Sequence, residues 1–217
     1  KIPFVVDVKD LWPDVFVENL LGWKRRIAKI LLSYYYFATR KIYNRATGIT
    51  TITDKFLQYI ENFSNRDSNE LNKVFPLVSN LTLVNNNFNL VENWWDSIGV
   101  YNDNIFKVVY VGNLSSNIDL SEVKNAAKLF KERNIKIQFV ICGGGNYLEI
   151  FKHMMQDLDN VIFPGWVNQE QVSVLAKRSN VWLIPYFNKE NFRLSLPNKT
   201  FDALYFGIPL LSSLEGE

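Results

Sequence analysis

Apolar positions in this chain follow two rhythms. Short apolar runs bounded by Gly, Pro or Asn read as strands. Longer stretches, in which apolar residues return every third or fourth position, read as helices. The runs at 3–8, 46–53, 74–78 and 81–84 are predicted strands, the first of them buried. Residues 22–46 predict one long helix with Ile27, Ile30, Leu31, Tyr34 and Phe37 on its apolar face. Thr53 and Asp54 open a further helix to about Phe63, residues 64–73 form a polar loop, and Asn85-Asn86-Asn87 is a turn.

From residue 106 onward the two rhythms alternate regularly. Strands are predicted at 106–111, 135–142, 161–163, 181–185 and 208–212, and helices at 120–133, 147–156 and 169–177, with another opening at Pro197. Strand–helix alternation of this kind demands a parallel sheet with helices on both faces. Ligands on such sheets sit outside the carboxyl ends of the strands. The loops at Gly112, Gly143, Gly165 and Tyr186 occupy that edge. A linker is expected at about 94–104, dividing a unit at 1–97 from one at 105–217. The chain opens inside one strand and stops just after another, so it is expected to be a piece of something longer.

Composition narrows the chemistry. Of the 217 residues 47% are hydrophobic and 15% aromatic, enough for a real core. A net charge of +2 argues against general nucleic-acid binding. The single cysteine, Cys142, rules out an internal disulfide framework and a cysteine-rich zinc site. The single histidine, His153, lies in a predicted helix beside two methionines, so neither a His-based triad nor a His metal site can be argued. No metal is expected. No signal peptide is apparent and no apolar run is long enough to span a bilayer. The Asn-x-Ser/Thr triplets at Asn62, Asn80, Asn113 and Asn198 fit chance in an Asn-rich chain. The expected location is cytoplasmic, with a second reading as peripheral on the inner face of the cell membrane.

The densest candidate chemistry is near the end, in Arg193, Ser195-Leu196-Pro197-Asn198-Lys199-Thr200-Phe201-Asp202 and Gly207-Ile208-Pro209. A Pro just inside a helix start, a Lys in its first turn and a carboxylate one turn on follow a predicted strand. A helix N-terminus after a parallel strand favours anions. Lys199 and Arg193 add positive charge for a diphosphate, and Asp202 can accept hydrogen bonds from a ribose. The bland reading is an exposed helical ion pair between Lys199 and Asp202. Gly143-Gly144-Gly145 opens a helix after a strand, but Leu148 stands where a dinucleotide fingerprint has its third Gly. A plain tight turn explains it equally. Asp7, Lys9 and Asp10 end a strand, where carboxylates could serve an acceptor hydroxyl or cap the turn. Residues 24–45 hold Lys24, Arg25, Arg26, Lys29, Arg40, Lys41 and Arg45 with no acid among them. Beside Trp23 and the apolar face, that is the pattern of a helix lying on anionic lipid, so residues 23–45 are a candidate membrane surface. The alternative is an ordinary amphipathic helix packed on the sheet.

In order and spacing these pieces resemble family 4 glycosyltransferases. Residues 106–217 are similar to the family's donor-binding domain: Val109-Tyr110-Val111-Gly112-Asn113-Leu114 to its first strand and loop, Phe139-Val140-Ile141-Cys142-Gly143-Gly144-Gly145 to its strand ending in Gly-x-Gly. Asn160 to Val167 looks like the segment beside the nucleobase. Ser195 to Asp202 resembles the donor helix of the branch that assembles bacterial surface polysaccharides. Residues 3–95 resemble the second half of the acceptor domain through Val6 to Pro13, Ile49 to Thr53 and Val84-Asn85-Asn86. The resemblance implies the α/β GT-B fold, two Rossmann-like domains of parallel sheets with helices on both faces, the N-terminal one partial. It implies sugar transfer with retention from a nucleotide-diphosphate sugar, UDP by the branch, to a saccharide or polyprenyl-linked acceptor, with no metal or other cofactor. By it Asp202 stands at the ribose-binding acidic position. Lys199 and the amides from Ser195 would hold the diphosphate, which Gly112, Asn113, Gly143 and Gly145 approach. Gly165, Trp166 and Val167 flank the base. Asp10, Lys9 and Lys199 are the implied catalytic residues. The chain departs from the pattern at Leu194, which replaces the first acidic position, at 113–117, which lack the loop's basic residues, and at Lys9, which replaces a His. A sugar-nucleotide 2-epimerase and a non-catalytic nucleotide-binding or membrane-docking module are the competing expectations.

Overall fold

A computed structural model of the protein describes residues 2–78 and 88–215. The predicted strand at 81–84 and turn at 85–87 lie outside the described residues. The chain divides into two units: residues 1–77 with 188–196 and 215–217, and residues 78–187 with 197–214.

The second unit is a five-stranded parallel sheet of β4 (Phe106–Val111), β5 (Ile137–Cys142), β6 (Val161–Gly165), β7 (Val181–Ile184) and β8 (Leu210–Ser212), in the order β6-β5-β4-β7-β8. Its central strands β4, β5 and β7 are largely buried on both faces, as a parallel sheet covered by helices requires, while the edge strands β6 and β8 are more open. Val109, Val140, Cys142 and Trp182 face one core with Trp95, Leu175 and Ala203. Val108, Tyr110, Phe139 and Ile141 face the other with Val123, Ala127 and Phe151. The alternation along each strand is the two-residue period that puts neighbours on opposite faces. The first core is roofed by α4 (Phe88–Ser97), α7 (Gln169–Arg178) and α9 (Asn198–Phe206), the second by α5 (Ser121–Glu132) and α6 (Leu148–Met154).

Helix α4 runs into the expected linker at about 94–104, and it packs in this unit. Trp95 is fully buried and its indole N–H donates to the Gln171 carbonyl at 3.0 Å, while Arg178 reaches Asp96 at 2.6 Å. Helix α7 opens on a capping box of Asn168 and Gln171, each side chain bonding the other's backbone N–H.

The first unit holds a three-stranded parallel sheet in sequence order, β1 (Val5–Asp7), β2 (Gly48–Thr51) and β3 (Lys73–Val74). Its core gathers Val8, Leu11, Tyr43, Ile49, Phe56 and Ile60. Helix α3 (Asp54–Ser64) starts where the sequence placed it, with the Thr53 hydroxyl accepting from the Phe56 N–H.

Several expectations are corrected here. Strand β1 is not buried: it pairs only with β2 among the described residues, and Val5 is 60% exposed. The long helix predicted at 22–46 is two, α1 (Gly22–Leu31) and α2 (Ser33–Arg45), broken at Leu32, where ψ swings to 6° with no Gly or Pro to announce it. Strand β3 stops at Val74 rather than running to residue 78. Pro197 is not inside its helix but at the cap, with extended backbone (ψ 139°), because proline fixes φ and leaves ψ to the surroundings. A short helix, α8 (Glu190–Leu194), was not predicted; five residues are too few to show a period. It packs Leu194 against the core of the first unit.

Candidate functional site

In the second unit, strands β4, β5 and β6 step one way across the sheet, and β7 and β8 step the other way from β4. The reversal falls between β4 and β7, and the crevice beyond their carboxyl ends is where such sheets hold ligands. Lys199, in the first turn of α9, brings its side chain there. Its ammonium donates to the Tyr186 hydroxyl at 2.8 Å, just past β7, and lies 5.2 Å from the ring centre of Tyr110 on β4 and 5.0 Å from that of Tyr186. The Lys199 side chain also passes so close to Gly112 that a Cβ there would collide with it.

The glycine loops are stitched into one surface. The Gly112 N–H donates to the Cys142 carbonyl at 3.0 Å, and the Gly143 N–H to the Gly165 carbonyl at 2.7 Å. Gly143 takes φ 135°, and a side chain on it would strike the Gly112 carbonyl, so only glycine permits this approach. The Leu114 N–H donates to Gly144 at 2.8 Å, which sets Asn113 and Gly145 side by side. Tyr110 fixes the first loop from below, its hydroxyl donating to the Asn113 carbonyl at 2.9 Å. Burial pushes the Tyr110 phenol well above the usual tyrosine range, so it stays a neutral donor.

The structure therefore brings Lys199, Gly112, Asn113, Gly143, Gly145 and Gly165 together on one sheet edge. Asp202 is half-buried one turn along α9 from Lys199. Trp166 is 76% exposed, whereas the Val167 side chain is buried in the core, leaving only its backbone for a ligand. Pro197 offers no side-chain acceptor to cap α9, and the Thr200 N–H turns back to the Pro197 carbonyl at 2.9 Å. Tyr186 was missed from the sequence. Its position after a strand at the ligand edge was the available signal, but nothing in the sequence pairs it with Lys199.

Arg193 and Ser195 fall in the segment grouped with the first unit. Arg193 is exposed and donates through Nε to the Glu215 carbonyl at 3.2 Å. Of the other first-unit candidates, Lys9 forms an exposed ion pair with Asp7 at 3.2 Å, and Asp7 also accepts from the Thr50 hydroxyl at 2.9 Å. Asp10 accepts from the Asn191 side-chain amide at 3.3 Å.

Asn191 is 8% exposed and also accepts from the Leu11 N–H at 3.1 Å, so α8 clasps the loop after β1. Behind that loop Asp14 receives Tyr36 at 2.8 Å, Tyr59 at 3.0 Å and Lys29 at 3.0 Å. Burial alone would push its carboxyl up. The three hydrogen bonds and the charge of Lys29 outweigh that and hold it below the usual range. Among the described residues no group of His, Cys, Asp and Glu is placed to hold a metal ion.

Comparison with known proteins agrees with this architecture. WaaG, a glycosyltransferase involved in lipopolysaccharide biosynthesis, superposes with a TM-score of 0.68 at 16% identity over 98% of this chain and 57% of its own. Sucrose-phosphate synthase from Thermosynechococcus elongatus gives 0.67 at 14% over 98% and 50%. The pneumococcal O-GlcNAc transferase GtfA, solved with UDP and GlcNAc, gives 0.58 at 15% over 97% and 37%. The chain thus spans about half the length of the first two structures or a little more. No curated protein sequence matches it. The family model described as "Glycosyl transferases group 1" matches residues 95–216, more than half of the chain, including the whole five-stranded sheet and the helix α9 that carries Lys199; the chain belongs to that glycosyl transferase family.

Proposed function

We propose that the chain acts in a glycosyltransferase of the hexosyl-transferring type (EC 2.4) in polysaccharide biosynthesis. It moves a sugar, with retention, from a nucleotide-diphosphate sugar to a saccharide or polyprenyl-linked acceptor. The observation that carries this reading is the placement of Lys199: a cation on the first turn of a helix, held by Tyr186 over the crevice where the strand order reverses. Negative charge builds on a diphosphate as the sugar–phosphate bond breaks. Preorganised cations and helix N–H groups stabilise that charge in the transition state. Lys199 and the opening amides of α9 supply both, and the reading assigns the charge to them rather than to a metal. Gly112, Asn113, Gly143 and Gly145 let backbone approach the phosphates. Asp202 takes the ribose hydroxyls, and Gly165 with Trp166 flanks the base. UDP is the favoured nucleotide because the structural relative GtfA was solved with it. In the first unit Asp10, with Lys9 beside it, is assigned to the acceptor hydroxyl.

The reading places α1 on a membrane surface. It has no buried residue: Trp23, Ile30 and Leu31 are each more than two-thirds exposed, beside Lys24, Arg26 and Lys29. No helix among the described residues is long and apolar enough to cross a membrane. The contact is therefore interfacial, with basic side chains at lipid phosphates and the apolar face at the acyl boundary.

A thermal-shift panel of UDP, GDP, ADP and their sugars, followed by transfer from a labelled donor, tests the function. UDP or a UDP-sugar should raise the melting temperature by several degrees. If no nucleotide does so, the reading fails. An epimerised donor without transfer would assign the chain to the 2-epimerase alternative.

A further inference from the structure

Tyr186 stands just past β7, and its backbone is gripped from two sides within the second unit. The loop after β4 supplies one side: Ile118 and Tyr186 form an antiparallel bridge, the Phe187 N–H donates to the Asn117 carbonyl at 3.1 Å, and the Asp119 N–H donates to the Pro185 carbonyl at 2.7 Å. Ser213, just past β8, supplies the other, its hydroxyl donating to the Tyr186 carbonyl at 3.3 Å. The Tyr186 side chain also packs on the core that holds Tyr110, Leu114 and Ile118. Its hydroxyl is therefore a fixed point on the sheet edge.

Lys199 has the opposite character. An ammonium on a long flexible stem is a point charge with many rotamers, and nothing in α9 dictates where it goes. Three neighbours from outside the helix settle its direction. The Tyr186 hydroxyl accepts from it at 2.8 Å, the rings of Tyr110 and Tyr186 attract it from 5.2 and 5.0 Å, and Gly112, with no Cβ, leaves the space its stem crosses. The kind of partner matters as much as the number. A carboxylate would fix the ammonium and cancel its charge. A neutral hydroxyl and two rings fix it and leave the charge for an arriving anion.

We infer that Tyr186 is a positioning residue for the donor reaction: it sets the Lys199 ammonium where the diphosphate arrives and acts on the nucleotide only through Lys199. The inference rests on the assignment of Lys199 to the diphosphate. It also gives residues 117–119 a part in that chemistry although they carry no basic side chain, because they hold Tyr186 in place.

A double-mutant cycle on the full chain tests this, with calorimetric titration of UDP into the wild type, Tyr186→Phe, Lys199→Met and the double variant, and thermal unfolding of each. Tyr186→Phe keeps the ring and the backbone bonds and removes only the hydroxyl. UDP affinity should fall roughly two- to tenfold, the net worth of one hydrogen bond, with little change in melting temperature. In the Lys199→Met background the same replacement should change nothing, since no ammonium remains to be placed. A loss caused by damage to the fold would persist in that background. Losses that add would make Tyr186 an independent contact to the nucleotide, and unchanged affinity in Tyr186→Phe would make it a structural residue; either result overturns the inference. UDP binding indifferent to Lys199→Met would instead remove the charge assignment on which it rests, so the two failures are distinguishable.

Discussion

The Lys199 ammonium donates to the Tyr186 hydroxyl at 2.8 Å, joining the first turn of α9 to the loop after β7 across the point where the sheet reverses direction. That bond holds a flexible four-carbon side chain in one place before any ligand arrives. Preorganisation of this kind lowers the entropy cost of binding.

Replacing Lys199 by Met keeps the stem and removes the charge. Hydrogen bonds to charged groups contribute about 1.5–3 kcal/mol, so UDP affinity should fall roughly ten- to a hundred-fold. The side chain is only half-buried, and the melting temperature should move little. Calorimetric titration with UDP alongside thermal unfolding checks both. Equal loss of affinity and stability would give Lys199 a merely structural role.

Gly143→Ala should cost more stability than Gly144→Ala. The first would drive a methyl group into the Gly112 carbonyl at a backbone angle suited to glycine, while the second meets nothing within 4 Å. Strain at such a position is of order 1–3 kcal/mol, with the clash in addition. Urea unfolding of the two variants gives the comparison.

Alkaline pH should destabilise the first unit through Tyr43. Burial pushes its phenol up to about 12 from the ordinary value of 10. Below pH 10 folded and unfolded chains are both protonated there, and the full stability is present. Between pH 10 and 12 the unfolded chain loses the proton first, so stability falls, by up to about 3 kcal/mol for this one group. Tyr36 and Tyr59, pushed up by burial and by Asp14, act in the same direction. Urea midpoints at pH 8, 10 and 11 should decline, and Tyr43→Phe should flatten the decline.

Lys24→Glu with Arg26→Glu should release the chain from vesicles containing anionic lipid. Each basic residue near such a surface contributes about 1 kcal/mol, so reversing two should cost at least a hundred-fold in partitioning. Sedimentation with phosphatidylglycerol vesicles, against phosphatidylcholine alone, reads the change. Wild-type binding that ignores both salt and lipid charge would remove the membrane from the proposal.

Periodicity alone determined much of the second unit. Its strands alternate apolar runs with helical stretches, and β4 stands at the expected 106–111 because Val108, Val109, Tyr110 and Val111 form the apolar run that a strand covered on both faces requires. The first unit was less legible. Exposure of β1 depends on how many neighbours it pairs with, and the break at Leu32 carries no Pro or Gly. The five residues of α8 are too short for any period to show.

For the site, the sequence supplied the glycine loops and Lys199, since chemistry at strand ends and helix starts is written in residue types. The strand order, and with it the crevice that Lys199 enters, was decided only by the tertiary structure. So were its pairing with Tyr186 from thirteen positions earlier and the clasp of Asn191 on Asp10. Each depends on which distant backbones the packed sheet brings within hydrogen-bond reach, and local sequence carries no record of that.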